Sequence, residues 1–242
     1  MKLYILMLFF SFLFSVSDAQ ILRYKFNHSG FESLNKIPEP SDVVFDKETK
    51  HYFIVSDYGK LFECDSNMHI VGKAKAEGLD FEGIEIVDSF IYVSDETPRK
   101  VYKYRKSDLS LVATYTVSWG GAANKAFESI CYNYRKNCFI LVSQQPATVV
   151  EYTTDFKEIG RYKFNGARNI AGARWHNGEL YLLSSLDAAI IKCDPLNYLP
   201  TSYYNINVLN PEGIAFDEDN NVFIVSDDLQ RIYYFNKLPT TN

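Results

Sequence analysis

Residues 210–227 read NPEGIAFDEDNNVFIVSD, and the same phrase returns along the chain. PSDVVFDKETKHYFIVSD occupies 40–57, DFEGIEIVDSFIYVSD occupies 80–95, and AFESICYNYRKNCFILVS occupies 126–143. A more divergent copy, NIAGARWHNGELYLLSS, fills 169–185. Aligned on the residue that ends the first apolar run, Phe45, Ile86, Tyr132, Trp175 and Phe216 are 41, 46, 43 and 41 residues apart. A period of this length built from strand-forming runs marks a β-propeller blade.

Each copy supplies strand runs separated by turn residues. In the first copy these are VVF, HYFIVS, KLFEC and HIVGKAKA, interrupted by DKETK, DYG and DSNM. The fifth copy stops after EGIAF, VFIVS and RIYYF, one strand short. ILRYKF at 21–26 matches EIGRYKF of the third copy, so the N-terminal strand is expected to complete the last blade and cover its open edge. The expected fold is all-β: a five-bladed β-propeller with four-stranded blades, its ring closed by the N-terminal strand.

The first 20 residues, MKLYILMLFFSFLFSVSDAQ, have the layout of a secretory signal peptide. Lys2 is the charged start, 3–16 is apolar, and Ser17-Asp18-Ala19 places cleavage before Gln20. The apolar run is short for a bilayer span. The expected organisation is a signal peptide over 1–19 and one propeller domain over 20–242. The mature protein is expected to be exported, periplasmic or extracellular, with no transmembrane segment, and monomeric. A net charge of −5 disfavours nucleic acid as a partner.

Four cysteines in an exported chain raise the question of disulfides. Cys131 and Cys138 flank the turn YNYRKN and could face each other across a hairpin. Cys64 and Cys193 hold equivalent places in copies that are not neighbours, and are expected to be free and packed. Burial as small apolar residues is the other reading for all four.

In a propeller the first strand of each blade lines the central channel. The start of that strand and the end of the second lie on one face. Ser41, Glu82, Glu128, Ala171 and Glu212 occupy the first position, and Asp57, Asp95, Gln144, Ser185 and Asp227 the second. Two residues upstream of the glutamate position stand Glu39, Asp80, Ala126, Asn169 and Asn210. Carboxylates gathered at one mouth must share protons, take up water or bind a cation. Oxygen ligands from several elements suit Ca²⁺. The expected metal ligands are Glu82, Glu128, Glu212, Asp95, Asp227 and Asp57, and the expected cofactor is calcium. The bland alternatives are that the glutamates fasten one blade to the next and that Ser-Asp is a turn.

Other motifs carry less. DEDNN at 217–221 starts like a calcium loop, but it lacks that loop's glycine and distal glutamate and falls where a hairpin turn belongs. RKVYKYRK at 99–106 suits a third strand with one wet face. Asn27-His28-Ser29 is a glycosylation sequon in a eukaryotic host and otherwise loop. His28, His51, His69 and His176 are expected in a leading loop, two hairpin turns and an outer strand, away from the acidic mouth. There is no G-x-S-x-G elbow.

Taken together, LDFEGIEI with IYVSDETPRKVYKY, NKAFESICY and NPEGIAFDEDNNVFIVSD resemble the SdiA-regulated family of exported β-propeller proteins, over about residues 37–235. The resemblance implies a propeller and a bound calcium, and no established activity. It carries to Glu82, Glu128 and Glu212, whereas Ala171 departs from the pattern. Likeness to paraoxonase-like and phytase-like propellers is confined to short E-G-I phrases. The leading expectation is therefore a non-catalytic binding propeller with a ligand or protein partner on the cation-bearing face. The alternative is a metal-dependent hydrolase of esters, lactones or phosphoesters, with Glu82, Glu128, Glu212 or Asp95 as base. A scaffold without an ion is the third reading.

Overall fold

A computed structural model describes residues 21–34, 36–119 and 126–239. The signal-peptide segment lies outside these residues. Among the described residues there are 21 strands, grouped in five sheets. The first blade runs from the channel outward as β3 (Pro40–Asp46), β4 (His51–Ser56), β5 (Lys60–Cys64) and β6 (Ile70–Lys73). The second is β7 (Phe81–Val87), β8 (Phe90–Asp95), β9 (Lys100–Arg105) and β10 (Leu111–Thr116). The third is β11 (Ser129–Asn133), β12 (Cys138–Ser143), β13 (Thr148–Tyr152) and β14 (Glu158–Lys163). The fourth is β15 (Gly172–His176), β16 (Glu179–Ser184), β17 (Ala189–Cys193) and β18 (Pro200–Ile206). The fifth is β19 (Pro211–Phe216), β20 (Asn221–Ser226) and β21 (Arg231–Lys237), completed by β2 (Gly30–Ser33).

The hydrophobic pattern follows from this radial arrangement. Second strands such as HYFIVS and CFILVS are apolar without alternation because each is sandwiched between two neighbouring blades. Outer strands such as LVATYT and EIGRYK are exposed at every other residue. Five apolar clusters form, one in each gap between blades. One of them, with Val142 and Val149 from the third blade and Leu182 and Ile191 from the fourth, is typical. No single central core exists, because the centre belongs to the five inner strands.

Those inner strands approach closely, and two glycines permit it. A Cβ on Gly83 would lie 2.5 Å from the amide nitrogen of Ile130, and one on Gly213 would lie 2.4 Å from Cα of Asp42. The repeated turn residues also have a cause. The hairpin between first and second strands closes in every blade on a residue of positive φ: Lys50, Asp88, Asn137, Asn177 and Asn220. Asp217 Oδ1 accepts hydrogen bonds from the amides of Asp219 and Asn221 (2.9 and 2.8 Å), so DEDNN is a capped turn.

The N-terminal segment closes the ring, but not with the residues that the repeat alignment selected. Gly30–Ser33 pairs antiparallel with β21 and is the fourth strand of the last blade. The run that resembles the third blade's outer strand, now β1 (Leu22–Phe26), lies parallel to β18 and widens the fourth blade to five strands. Resemblance to an outer strand identified the type of edge position, and the turn at 27–29 decided which blade received which piece. The cysteine hairpin also differs from a disulfide. Register pairs Cys131 with Ile140 and Asn133 with Cys138, and all four cysteines are free and buried. Among the described residues no helix is long and apolar enough to cross a membrane.

Candidate functional site: an acidic channel mouth

The second strands end in serines whose hydroxyls tie down the loop that leads into the blade. Ser56 donates to the carbonyl of Pro38 (2.6 Å) and Ser226 to that of Leu209 (2.7 Å). In the second blade the neighbouring aspartate does this work. Asp95 accepts from the amides of Leu79 and Asp80, both at 3.0 Å, so its carboxylate faces the loop. This is the turn reading of the Ser-Asp phrase for Asp95. Asp227 accepts from the amide of Asp228 and remains an electrostatic neighbour of Glu212.

With the loops held this way, Glu82, Glu128 and Glu212 converge from three blades and Asp57 from a fourth. Burial is the largest influence on each, and the next is another carboxylate. Burial pushes Glu82 well above the ordinary carboxylate range, and Glu128, Asp57, Asp80 and Glu96 push it further. Glu128 is raised by burial and then by the neighbouring carboxylates of Glu96, Glu212 and Asp57. Glu212 is pushed up to about 8 by burial, Asp227, Asp57 and Asp228. Asp57 is pushed up to about 7 by burial, then by Asp80. The fourth blade stays neutral. Ala171 has no charge, and the Asn169 amide is satisfied by Ser185 (2.7 Å) and Ser184 (2.9 Å).

Asp80, Glu82 and Glu96 each offer an oxygen within 4.8 Å of the others. Two oxygens on opposite sides of a calcium ion are separated by about 4.6–5.2 Å, twice the usual bond length. The donor set therefore fits a hard divalent cation. Glu96 was missed in the sequence because it lies one residue past the aligned position, in the DETPRK turn. Its carboxylate is drawn inward by the amide of Ala126 (2.8 Å).

Below the mouth the channel is closed by Arg174, a residue that the repeat alignment placed in AGARW without a role. Its guanidinium donates to the carbonyls of Ile214 (2.9 Å), Ile84 (2.7 Å) and Val43 (2.8 Å) and to Asp42 (3.2 Å). Glu85 lies 3.5 Å away. Asp42 also accepts from the amides of Val43 and Ile84 and from the hydroxyl of Ser129. Burial pushes Asp42 up to about 6 against the pull of Arg174 and of its hydrogen-bond donors. One arginine thereby binds strands from the first, second and fifth blades to the fourth, and Asp42 brings in the third through Ser129. A charged residue inside an inner strand was the available signal.

His176 is not on an outer strand. It ends β15 at the opposite mouth, where all five inner strands finish around a cavity of about 590 Å³.

Comparison with known proteins agrees with this architecture. Myxococcus xanthus glutaminyl cyclase has the same fold, with a TM-score of 0.75 and 13% identity over 90% of this chain and 98% of that one. The WD40 propeller domain of Doa1 is more distant, with a TM-score of 0.54 and 8% identity over 81% of this chain and 63% of that one. No curated protein matches the sequence. The SdiA-regulated family model matches residues 23–236, nearly all of the described propeller, and the chain belongs to the SdiA-regulated family.

Proposed function

We propose that this propeller is an exported binding protein whose acidic channel mouth holds a divalent cation, calcium, and meets a ligand or partner on that face. The observation that carries the reading is the convergence of Glu82, Glu128, Glu212 and Asp57, with Asp80 and Glu96 beside them, in a partly buried mouth where the strongest neighbouring charges are other carboxylates. Such a group is unfavourable when fully ionised, and a cation removes both the repulsion and much of the desolvation cost. Asp80, Glu82 and Glu96 would hold the ion. Export rests on the N-terminal sequence.

Thermal unfolding of the mature protein after EDTA, and again with Ca²⁺ or Mg²⁺, tests this. Saturation at a hundred times Kd adds about 2.7 kcal/mol. That raises Tm by roughly 5–10 °C for a chain of this size. The triple variant Glu82→Gln/Glu128→Gln/Glu212→Gln is expected to lose the response. A wild-type melt indifferent to chelator and to both ions refutes the proposal and returns the glutamates to the role of fasteners between blades. If calcium binds, ester, lactone and phosphoester substrate panels on the loaded protein separate a binding role from the hydrolase alternative.

A further inference from the structure

We propose that the cavity at the opposite mouth is a second binding site, and that it takes a small organic cation: a protonated or quaternary amine on an apolar body. The site does not depend on the calcium reading. From residue 82 to residue 86 the inner strand advances about 13 Å, and the Arg174 cluster lies between the two ends.

The argument begins with shape. Every inner strand ends at this cavity, which has a volume of about 590 Å³ and encloses a ligand of one or two rings. Its apolar lining comes from Val44, Phe45, Ile86, Trp175 and Phe216. The imidazole of His176 lies parallel to the Phe216 ring, with centroids 4.2 Å apart and planes 5° apart. Burial holds His176 below its ordinary pKa, and its Nε2 is engaged by Asn220 at 2.8 Å. It therefore lines the wall as a neutral ring and does not repel a cation.

Charge then selects the ligand. Six carboxylates line the cavity, from Asp46, Glu48, Glu85, Asp88, Asp217 and Glu218, against three cationic groups, Lys47, Lys106 and Arg174. Two of those three are already committed. Arg174 is saturated by carbonyls and Asp42, and Lys106 donates to Asp46 (3.0 Å) and Glu48 (2.6 Å). The same pairs also engage carboxylates, and Lys50 reaches Glu218 from outside the lining, so among the described residues Asp88 and Asp217 remain without a cationic partner and the lining keeps a net negative charge. An incoming ammonium meets Asp88 and Asp217, and its apolar body meets the aromatic side chains in the lining, the combination that favours organic cations.

The test uses mature protein in EDTA, with phenethylamine as probe and 3-phenylpropionate and cellobiose as controls, read by titration calorimetry and tryptophan fluorescence. Trp175 lines the cavity and supplies the optical signal. Phenethylamine is expected to bind saturably, and 3-phenylpropionate at least about tenfold more weakly. Asp88→Asn and Asp217→Asn are each expected to weaken the amine about twofold to fivefold. Asparagine preserves the turn-capping oxygen of Asp217, and an unchanged melt verifies the fold. Should either variant misfold, Glu48→Gln at the exposed edge serves instead: it removes a carboxylate and leaves Lys106 held by Asp46 alone, so the amine must again bind more weakly. Equal binding of amine and acid overturns the proposal. So does amine binding indifferent to these substitutions, absence of saturable amine binding, or binding of cellobiose alone, which would make the cavity a polyol site.

Discussion

Replacing Arg174 by methionine isolates the central closure of the ring. Arg174 is 4% exposed, and the substitution strands Asp42, which is fully buried, and Glu85, which is 5% exposed. Breaking a buried ion pair by removing one partner costs about 3–5 kcal/mol. The carbonyls of Ile214, Ile84 and Val43 lose their donor as well, each worth about 1–3 kcal/mol if it stays dry. Water entering the vacated channel recovers part of this, so a total of about 4–6 kcal/mol is expected. For a chain of this size that lowers Tm by roughly 10–20 °C. Equilibrium urea unfolding, followed by tryptophan fluorescence, measures the loss. Arg161→Met, which breaks an exposed pair with Glu158, provides the comparison at under about 1 kcal/mol. The loss has a pH signature. Without the guanidinium, Asp42 and Glu85 titrate even higher in the native state than they already do, so protonation relieves the variant as pH falls from about 7 to about 5. Adding Asp42→Asn and Glu85→Gln is expected to restore at least about 2 kcal/mol at neutral pH. A loss below about 1 kcal/mol, or one that is flat from pH 5 to pH 8, refutes the view that Arg174 neutralises the centre.

Chelated protein is expected to grow more stable as pH falls from about 9 to about 5, because native Glu212 (about 8) and Asp57 (about 7) bind protons at higher pH than they do in the unfolded chain. Saturating calcium should flatten that slope, and pH-dependent melts with and without the ion check both. Gly83→Ala drives a methyl against the backbone of the next inner strand and is expected to cost about 2–3 kcal/mol in urea unfolding. Thiol titration in denaturant without reductant should find four free thiols; a Cys131–Cys138 bond would leave two. Shortening the chain to begin at residue 36 removes β2 and bares β21, so light scattering should show more association than the full chain gives.

The candidate site was partly legible because position in the repeat implies position in space. Glu82, Glu128 and Glu212 align in sequence, and inner strands that converge on one axis must bring them together. Asp95 occupies an aligned position yet turns to the amides of Leu79 and Asp80, a choice made by local loop geometry that alignment does not carry. Glu96 behaves in the opposite way: it is off the aligned position, and the amide of Ala126 draws it in. His176 follows the same logic from the other end, since the position that ends β15 faces a mouth whose depth and lining exist only once five blades have met.

By itself the sequence determined the blade, its strand order and the number of copies, because each blade repeats the same apolar runs and the same turn chemistry within about forty residues. Those are local constraints, and the period displays them five times. Only the tertiary structure decided how the ring closes, which charges meet and what fills the axis. Gly30–Ser33, rather than the better-matching run before it, completes the last blade because short loops fix which edge each N-terminal piece can reach. Arg174 reaches Asp42 across 132 positions of chain because a five-bladed ring is narrow enough for one side chain to span its centre. Contacts of that kind depend on the closed circle, and no single repeat contains them.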